Sequence, residues 1–340
     1  MAAKSTATVA GAGALGLSCA LALADAGFAV TVCDPADPFA NASGVAGGML
    51  APVFEAVLDA EAAAAHFDLL LAARDLWPAL EARSGVRLDR TGAVAAGRRE
   101  WLQSLAAGIS RLGLHPTEIP YRAAAALAPG LTAVDGVLLN REDWRLDARP
   151  ALEALRAAAA AAGVAFRKAA VTDRGEADLL VVATGASGGL APETACLTPI
   201  KGHILKTAPC KLAGVTMRGE GVYVTPADGG LAIGATMEPG QADPAPDPAK
   251  GRPLLGLGAS LFPALAKAPY ELQAGVRAAT PDGLPLVGFS EAPGVLLATG
   301  ARRNGWLLAP LVAGVAAALA TGRDPGRYAA RLDPRRFSSG

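Results

Sequence analysis

Gly11, Gly13 and Gly16 follow the short run Thr8-Val-Ala at spacings of two and three residues, and Asp34 stands 23 residues after Gly11. Residues of these types at these distances work through bare backbone and one carboxylate. Gly11 lets the chain turn tightly out of a strand, Gly13 lets the backbone approach a pyrophosphate, and Gly16 lets a helix pack closely on a sheet. Ala14 and Leu15 open that helix, whose first turn offers free amide N–H groups and a partial positive charge to an anion. Asp34, with Pro35 after it, ends the second strand, where a carboxylate accepts hydrogen bonds from ribose hydroxyls. Strand, glycine turn, helix, strand and acid all fall within residues 8 to 34. Together they read as a dinucleotide-binding unit.

That unit alone leaves NAD and FAD open, and residues 35 to 52, PADPFANASGVAGGMLAP, separate the two. An NAD domain normally continues into a crossover helix soon after such a strand. Here the chain is irregular and rich in small residues. Ser43 offers a hydroxyl to phosphate, and Gly47, Gly48 and Met49 bring bare backbone against a flat ring.

Ser43 with Ala46-Gly47-Gly48-Met49-Leu50-Ala51-Pro52 resembles the flavin loop of the glycine oxidase and D-amino-acid oxidase group of FAD-dependent oxidases, and is most similar to the bacterial glycine oxidases of thiamine biosynthesis. The resemblance recurs in Leu180-Val-Val-Ala183-Thr184-Gly185, in Gly275 to Gly288, and in Ala298 to Pro310, in the family's order. It implies FAD, held through Gly11, Gly13, Ala14, Leu15, Gly16, Asp34, Pro35, Ser43, Gly47, Gly48, Met49, Val171, Gly185, Asn304, Gly305, Trp306 and Leu307. The covalent-flavin cysteine of monomeric sarcosine oxidases has no counterpart between Gly275 and Phe289, so the FAD is expected to be non-covalent. Arg277 occupies the position of the family's substrate-carboxylate arginine. Arg303 and Tyr223 match further residues of the same site, and the family's additional tyrosine upstream of Tyr223 is replaced near Arg218.

The same residues make chemical sense at the substrate end. An amino acid needs its carboxylate fixed so that the α-carbon lies over the flavin, and an arginine does this with two parallel hydrogen bonds. Arg277 lies in an apolar strand-like run, where a charge is costly unless paired. Its alternative is a salt bridge to an acid such as Asp282. For Arg303 the alternative is a solvated loop arginine, with Arg302 offering a competing register, and for Tyr223 it is core packing. His203 is read as an ordinary polar residue and not as a base.

Asn304-Gly305 precedes an apolar stretch over 306 to 321, which is short for the ~20 residues that span a bilayer and reads as a buried helix. Its positive end can face the flavin pyrimidine ring, where reduced flavin is negative. Asn304 can also cap it. No general base is required if a neutral amine delivers hydride directly.

Composition bounds the partners. Lys+Arg of 31 against Asp+Glu of 31 leaves no net charge, and hence no footprint for nucleic acid or anionic membrane. A small amino-acid substrate and oxygen are expected, and a homo-oligomer is allowed. Cys19, Cys33, Cys196 and Cys210 show no CxxC spacing, so they read as buried hydrophobes of a reducing, cytoplasmic compartment, with no metal site.

The expected fold is α/β, α+β overall: a Rossmann-like FAD-binding domain from 1–84, 145–199 and 275–340, and an antiparallel-sheet substrate domain from 85–144 and 200–274. The periodicity predicts a helix over 56 to 83, another from Pro150 to Ala162 stopped by Gly163, strands over Val164 to Val171 and Asp178 to Thr184, and two strands around a Gly229-Gly230 turn. Glu238 to Pro253 reads as a surface connection. The expected activity is FAD-dependent oxidation of glycine or a small amine or D-amino acid to the imine, with oxygen reduced to hydrogen peroxide. A D-amino-acid dehydrogenase or sarcosine oxidase-like flavoenzyme is the alternative. An NAD-dependent dehydrogenase and a non-catalytic flavin-binding assembly factor are the more distant ones.

Overall fold

The computed structural model describes residues 4–59 and 64–337. Two sheets organise them. In the first, strand Thr6–Ala10 lies at the centre, parallel to Ala29–Cys33 and to Leu179–Val182. Ala165–Arg167 extends one side, and Val295–Thr299 and Leu286–Phe289 extend the other, the last of these antiparallel. Strands Leu179–Val182 and Val295–Thr299 are apolar on both faces because both faces are covered, one by helices and the other by a cluster that includes Ala191, Leu197 and Phe337. Helix Ala14–Asp25 packs there against helix Gly305–Ala320 and helix Ala148–Ala161, in a core that includes Val9, Leu17, Leu23, Leu152 and Val312.

The second sheet has nine strands. Thr198–Thr207 lies between Tyr270–Ala279 and Gly230–Gly234 and also pairs with the short strand Glu238–Pro239; beyond Gly230–Gly234 come Val222–Ala227, Thr216–Gly219, Ala93–Gly97, Gly136–Asn140 and Thr117–Glu118. It is antiparallel except where Thr216–Gly219 runs parallel to Ala93–Gly97. A separate core fills one face, with Met217, Val224, Ile233, Leu255 and Phe262. Strand Tyr270–Ala279 runs unbroken through residue 275, pairing along its whole length with Thr198–Thr207.

Several expected elements are redrawn. The helix over 56 to 83 is three shorter ones, Pro52–Leu58, Phe67–Asp75 and Trp77–Ser84, and the part of the expectation on 60 to 63 lies outside the described residues. Pro78 sits in the first turn of the last, where a missing N–H costs nothing, so apolar spacing continued across a break that proline marks. The strand expected to reach Val171 ends at Arg167. Helix Ala148–Ala161 begins two residues before Pro150 and is followed, after its cap Ala162, by Gly163, whose φ of 88° is the left-handed stop. Helices Arg99–Arg111 and Tyr121–Leu127 lie within a stretch read as strands and turns. The connection after Glu238 contains a two-residue strand and a 3₁₀ turn before helix Gly251–Leu261. Cys196 and Cys210 are half-buried, unlike Cys19 and Cys33. Among the described residues no helix is long and apolar enough to cross a membrane.

Candidate active site

The glycine turn is shaped by contacts that leave no room for side chains. A Cβ on Gly11, at φ 107°, would stand 2.3 Å from the Ala183 carbonyl oxygen, and one on Gly16 would stand 2.0 Å from the Gly11 oxygen. Gly13 is the cap residue of helix Ala14–Asp25 and supplies no side-chain hydrogen bond, so the helix presents its amides forward. The Ala14 amide donates to Ser43 Oγ at 3.0 Å, which leaves the Ser43 hydroxyl hydrogen free to point at an anion. Asp34 does more than was expected of it: its carboxylate accepts from the Ala12 and Ala36 amides at 2.8 and 2.9 Å. A carboxylate has about four acceptor positions, so ribose hydroxyls can still be served. Pro35 follows at the exposed bend. These residues fit an FAD pyrophosphate and ribose.

Residues 41 to 50 are less irregular than their composition suggests. Asn41 caps a short helix, Ala42–Val45, by accepting the Gly44 amide at 3.0 Å. Met49 and Leu50 then pair with Arg145 and Trp144. Gly48, at φ 69°, passes so close to the Leu146 carbonyl that a Cβ would lie 2.2 Å from its oxygen. Trp306 ties this segment to helix Gly305–Ala320 by donating from Nε1 to the Ser43 carbonyl at 3.0 Å. In front of that helix the space is open: a Cβ on Gly305 would meet nothing within 4 Å. Leu307 is fully buried behind it. The expected Asn304 cap is not made by its side chain; its backbone carbonyl takes the Leu308 amide instead. Gly185, at φ 60°, is fixed by the Thr299 hydroxyl on its carbonyl. Val171 packs with Ala10, Val182 and Leu297 near the ends of the parallel strands, outside any strand.

Beyond the flavin loop a cavity of about 290 Å³ is lined by Met49, Tyr223, Arg277, Arg303, Trp306 and Glu55. Strand register explains why Arg277 and Tyr223 meet there. Arg277 pairs with Ile200, Gly275 with Gly202, Gly234 with both Ile204 and Tyr223, and Tyr223 with Arg218. Residues paired across antiparallel strands, and those two apart on one strand, share a face. One face of the sheet therefore presents Arg277, Tyr223 and Arg218 over a floor of glycines. A Cβ on Gly202 would lie 2.2 Å from Arg277 Nη1, and one on Gly234 would lie 2.3 Å from the Tyr223 hydroxyl oxygen.

Arg277 is half-buried and has no acidic partner among the described residues; Nη1 reaches only the Thr236 carbonyl at 3.4 Å and Met237 Sδ at 3.5 Å. Burial holds its guanidinium below the ordinary arginine value. The salt bridge weighed for it is made elsewhere, since Asp282 pairs with Arg336 at 2.8 Å. Tyr223 is buried, and burial pushes its phenol up, so it stays a neutral donor.

Glu55, buried on helix Pro52–Leu58, was not anticipated. It ion-pairs with Arg303 at 2.5 Å and with Arg218 at 3.2 Å. Burial alone would raise its carboxyl; the two guanidiniums outweigh that and hold it below the ordinary value. Glu55 in turn raises Arg303. Arg302, at φ 49°, turns away and pairs with Asp59, which also stands 3.9 Å from Arg303, so the two neighbouring arginines share two acids. Asp143 anchors the start of the Glu55 helix by accepting the Val53 and Phe54 amides at 2.8 and 3.0 Å. His203 is fully buried with Nδ1 2.9 Å from Glu238, and accepts the Asp247 amide on Nε2, away from the reacting end.

The family model described as FAD dependent oxidoreductase, DAO, matches residues 6–319. The chain belongs to that family. This FAD-dependent oxidoreductase is 32% identical to the glycine oxidase of Pseudomonas aeruginosa, over 93% of the chain and 95% of that protein. It is 32% identical to a Rhizobium etli protein described as the thiamine biosynthesis oxidoreductase ThiO, over 89% and 93%. Its fold is similar to the crystal structure of glycine oxidase from Geobacillus kaustophilus, with a TM-score of 0.84, 26% identity, and coverage of 97% and 98%. In this flavoenzyme, sequence reading missed Glu55, Gly202 and Gly234. The acid fell at the edge of a misjudged helix, and the glycines acquire their role only through register.

Proposed function

We propose that the chain is an FAD-dependent oxidase of glycine or a similarly small amine acid, supplying imine to a biosynthetic sequence such as the thiazole branch of thiamine synthesis. One observation carries this reading. A guanidinium with no acidic partner among the described residues, Arg277, faces the same cavity as the Gly47–Met49 loop and a neutral buried phenol. A carboxylate is the natural counter-charge for that fork.

FAD bound at this site would supply a two-electron acceptor for the substrate's α-hydride, with oxygen as the final acceptor reduced to hydrogen peroxide. Arg277 fixes the carboxylate, Tyr223 donates to it or walls the site, and Arg303 is held on the cavity wall by Glu55. Met49 and the backbone of Gly47 and Gly48 border the space for the ring. The helix starting at Gly305 places its amides and dipole where negative charge would develop. No residue need take a proton from carbon, since the neutral amine releases hydride; the imine is passed on or, released into water, hydrolyses to the oxo acid and ammonia. The work left to the protein is positioning and electrostatics. The FAD side draws on 1–84, 145–199 and 275–340, and the substrate side on 85–144 and 200–274, except that strand Tyr270–Ala279, which carries Arg277, belongs wholly to the substrate-side sheet.

Anaerobic mixing of the yellow holoprotein with glycine, sarcosine and D-amino acids tests the reading. Bleaching by one of them, with hydrogen peroxide on admitting air, is the expected result. A flavin that no amine reduces would reject it.

A further inference from the structure

The cavity holds more positive charge than one amino-acid carboxylate can answer. Arg277, Arg303 and Arg218 all line it, and the carboxylate lining it with them is Glu55. Asp59 lies nearby, paired with Arg302 and 3.9 Å from Arg303, and the buried Asp143, whose carboxyl burial pushes up to about 7 despite the pull of Arg218, answers that arginine only in part. Three guanidiniums against Glu55 leave two positive charges, and a substrate with a single carboxylate and a neutral amine removes one of them. A charge left without a counter-ion in a buried site is costly.

Arg218 is the group to which that excess belongs. It is 5% exposed, and its cross-strand neighbour is Tyr223. Its guanidinium carbon stands 5.8 Å from the centre of the Tyr223 ring and 5.9 Å from that of Phe54, so aromatic walls fix its position. Among the described residues its one hydrogen bond is from Nη2 to Glu55, at a long 3.2 Å, and its Nε is buried without a partner. An arginine has five N–H donors in a planar fork. Most of Arg218's fork is therefore unsatisfied, on the same sheet face as Arg277 and across Tyr223 from it.

The structure assigns Arg218 as the receptor for a second acidic group, so that the preferred substrate is a dicarboxylic amine acid: one carboxylate on Arg277, the amine-bearing carbon between, the other carboxylate at Arg218. Acidic D-amino acids and N-carboxymethyl amino acids are the chemical classes that fit. The assignment rests on the oxidase reading for where the reacting carbon lies, and within that reading it puts a dicarboxylic amine acid in place of glycine as the preferred substrate.

The test uses non-reacting carboxylates first. Thermal stabilisation of the holoprotein and perturbation of its flavin spectrum are titrated with acetate, propionate, malonate and succinate. At least one dianion is expected to bind ~10-fold or more tightly than its monoanion, and the ratio is expected to collapse toward unity in R218M. Arg218→Lys, which keeps the charge, is expected to retain part of the ratio and serves if R218M fails to fold. Equal affinity for dianions and monoanions in the unaltered protein, or a ratio that R218M preserves, would overturn the assignment. Anaerobic bleaching by D-aspartate, iminodiacetate and glycine is then compared. If glycine bleaches the flavin and dianions show no advantage, the Arg218 assignment fails while the oxidase reading stands. If dianions bind preferentially and no amine bleaches it, the oxidase reading fails while the anionic subsite stands.

Discussion

Trp77 donates its indole N–H to the carbonyl oxygen of Trp306 at 3.1 Å, the carbonyl that Pro310 cannot serve. In a regular helix that oxygen would accept the amide four residues on, and proline has none. Trp77 is fully buried, and its indole also reaches the Leu307 carbonyl at 3.3 Å. A residue from a distant helix thus completes the first turn of helix Gly305–Ala320.

Trp77→Phe should leave that carbonyl buried and unpaired, at about 1–3 kcal/mol. A double-mutant cycle with Pro310→Ala isolates the cause. The alanine restores an amide at the right place, so Trp77→Phe should cost clearly less in that background, read as thermal or denaturant midpoints. Strict additivity would show that the indole acts by packing alone.

Arg277→Ala should leave FAD bound while weakening substrate capture by on the order of 2–5 kcal/mol in kcat/KM, with Arg277→Lys recovering only part. The comparison is the rate of flavin reduction against substrate concentration, with acetate as competitor. Unchanged saturation and unchanged acetate inhibition would move the anchor to another residue.

Gly202→Ala tests the glycine floor without touching the anchor. Its Cβ would fall 2.2 Å from Arg277 Nη1, so the guanidinium must swing aside. A rise in KM of roughly tenfold is expected, equivalent to about 1.4 kcal/mol, with flavin content and melting temperature near normal. A normal KM would mean that Arg277 moves without loss of the substrate.

Gly11→Ala combines a left-handed φ with a Cβ 2.3 Å from the Ala183 oxygen. The variant should purify with little FAD, and acid precipitation of the unaltered protein should release all of its flavin as FAD. Yellow colour staying with the precipitate would contradict non-covalent binding.

Asp143 gives a pH dependence of defined sign. Burial lifts its carboxyl from the ordinary 3.8 to about 7, against the Val53 and Phe54 amides that favour the carboxylate. Between pH about 4 and about 7 the folded chain holds this proton more tightly than the unfolded chain does. Its contribution to stability therefore falls as pH rises through that window. Asp143→Asn should flatten the fall, measured as denaturant midpoints of both proteins from pH 4 to 8; parallel profiles would refute the assignment.

What could be read from the chain depended on whether the signal was local. The glycine turn, Asp34, the helix after Asn304 and the Gly185 turn each sit within one short window whose spacing dictates a backbone shape. Arg277 and Tyr223 stood out because charge and phenol were set in apolar strands. Gly202 and Gly234 carry no such mark, since their partners are created by strand register. Glu55 was hidden because its arginines lie 163 and 248 residues away. The break between helices near Leu76 was missed because apolar periodicity continues across it, and Pro78 was the cue that should have outweighed the period.

The glycine floor beneath Arg277 and Tyr223 also bears on how this enzyme can change. Gly202 and Gly234 are each a single-nucleotide step from alanine or a polar residue, and each such step would press on Arg277 or Tyr223 while standing clear of the glycine turn at Gly11. Selection can therefore explore new amine substrates at one wall of the cleft without risking the cofactor. A lineage built on this chain is free to diverge in diet long before it diverges in redox chemistry.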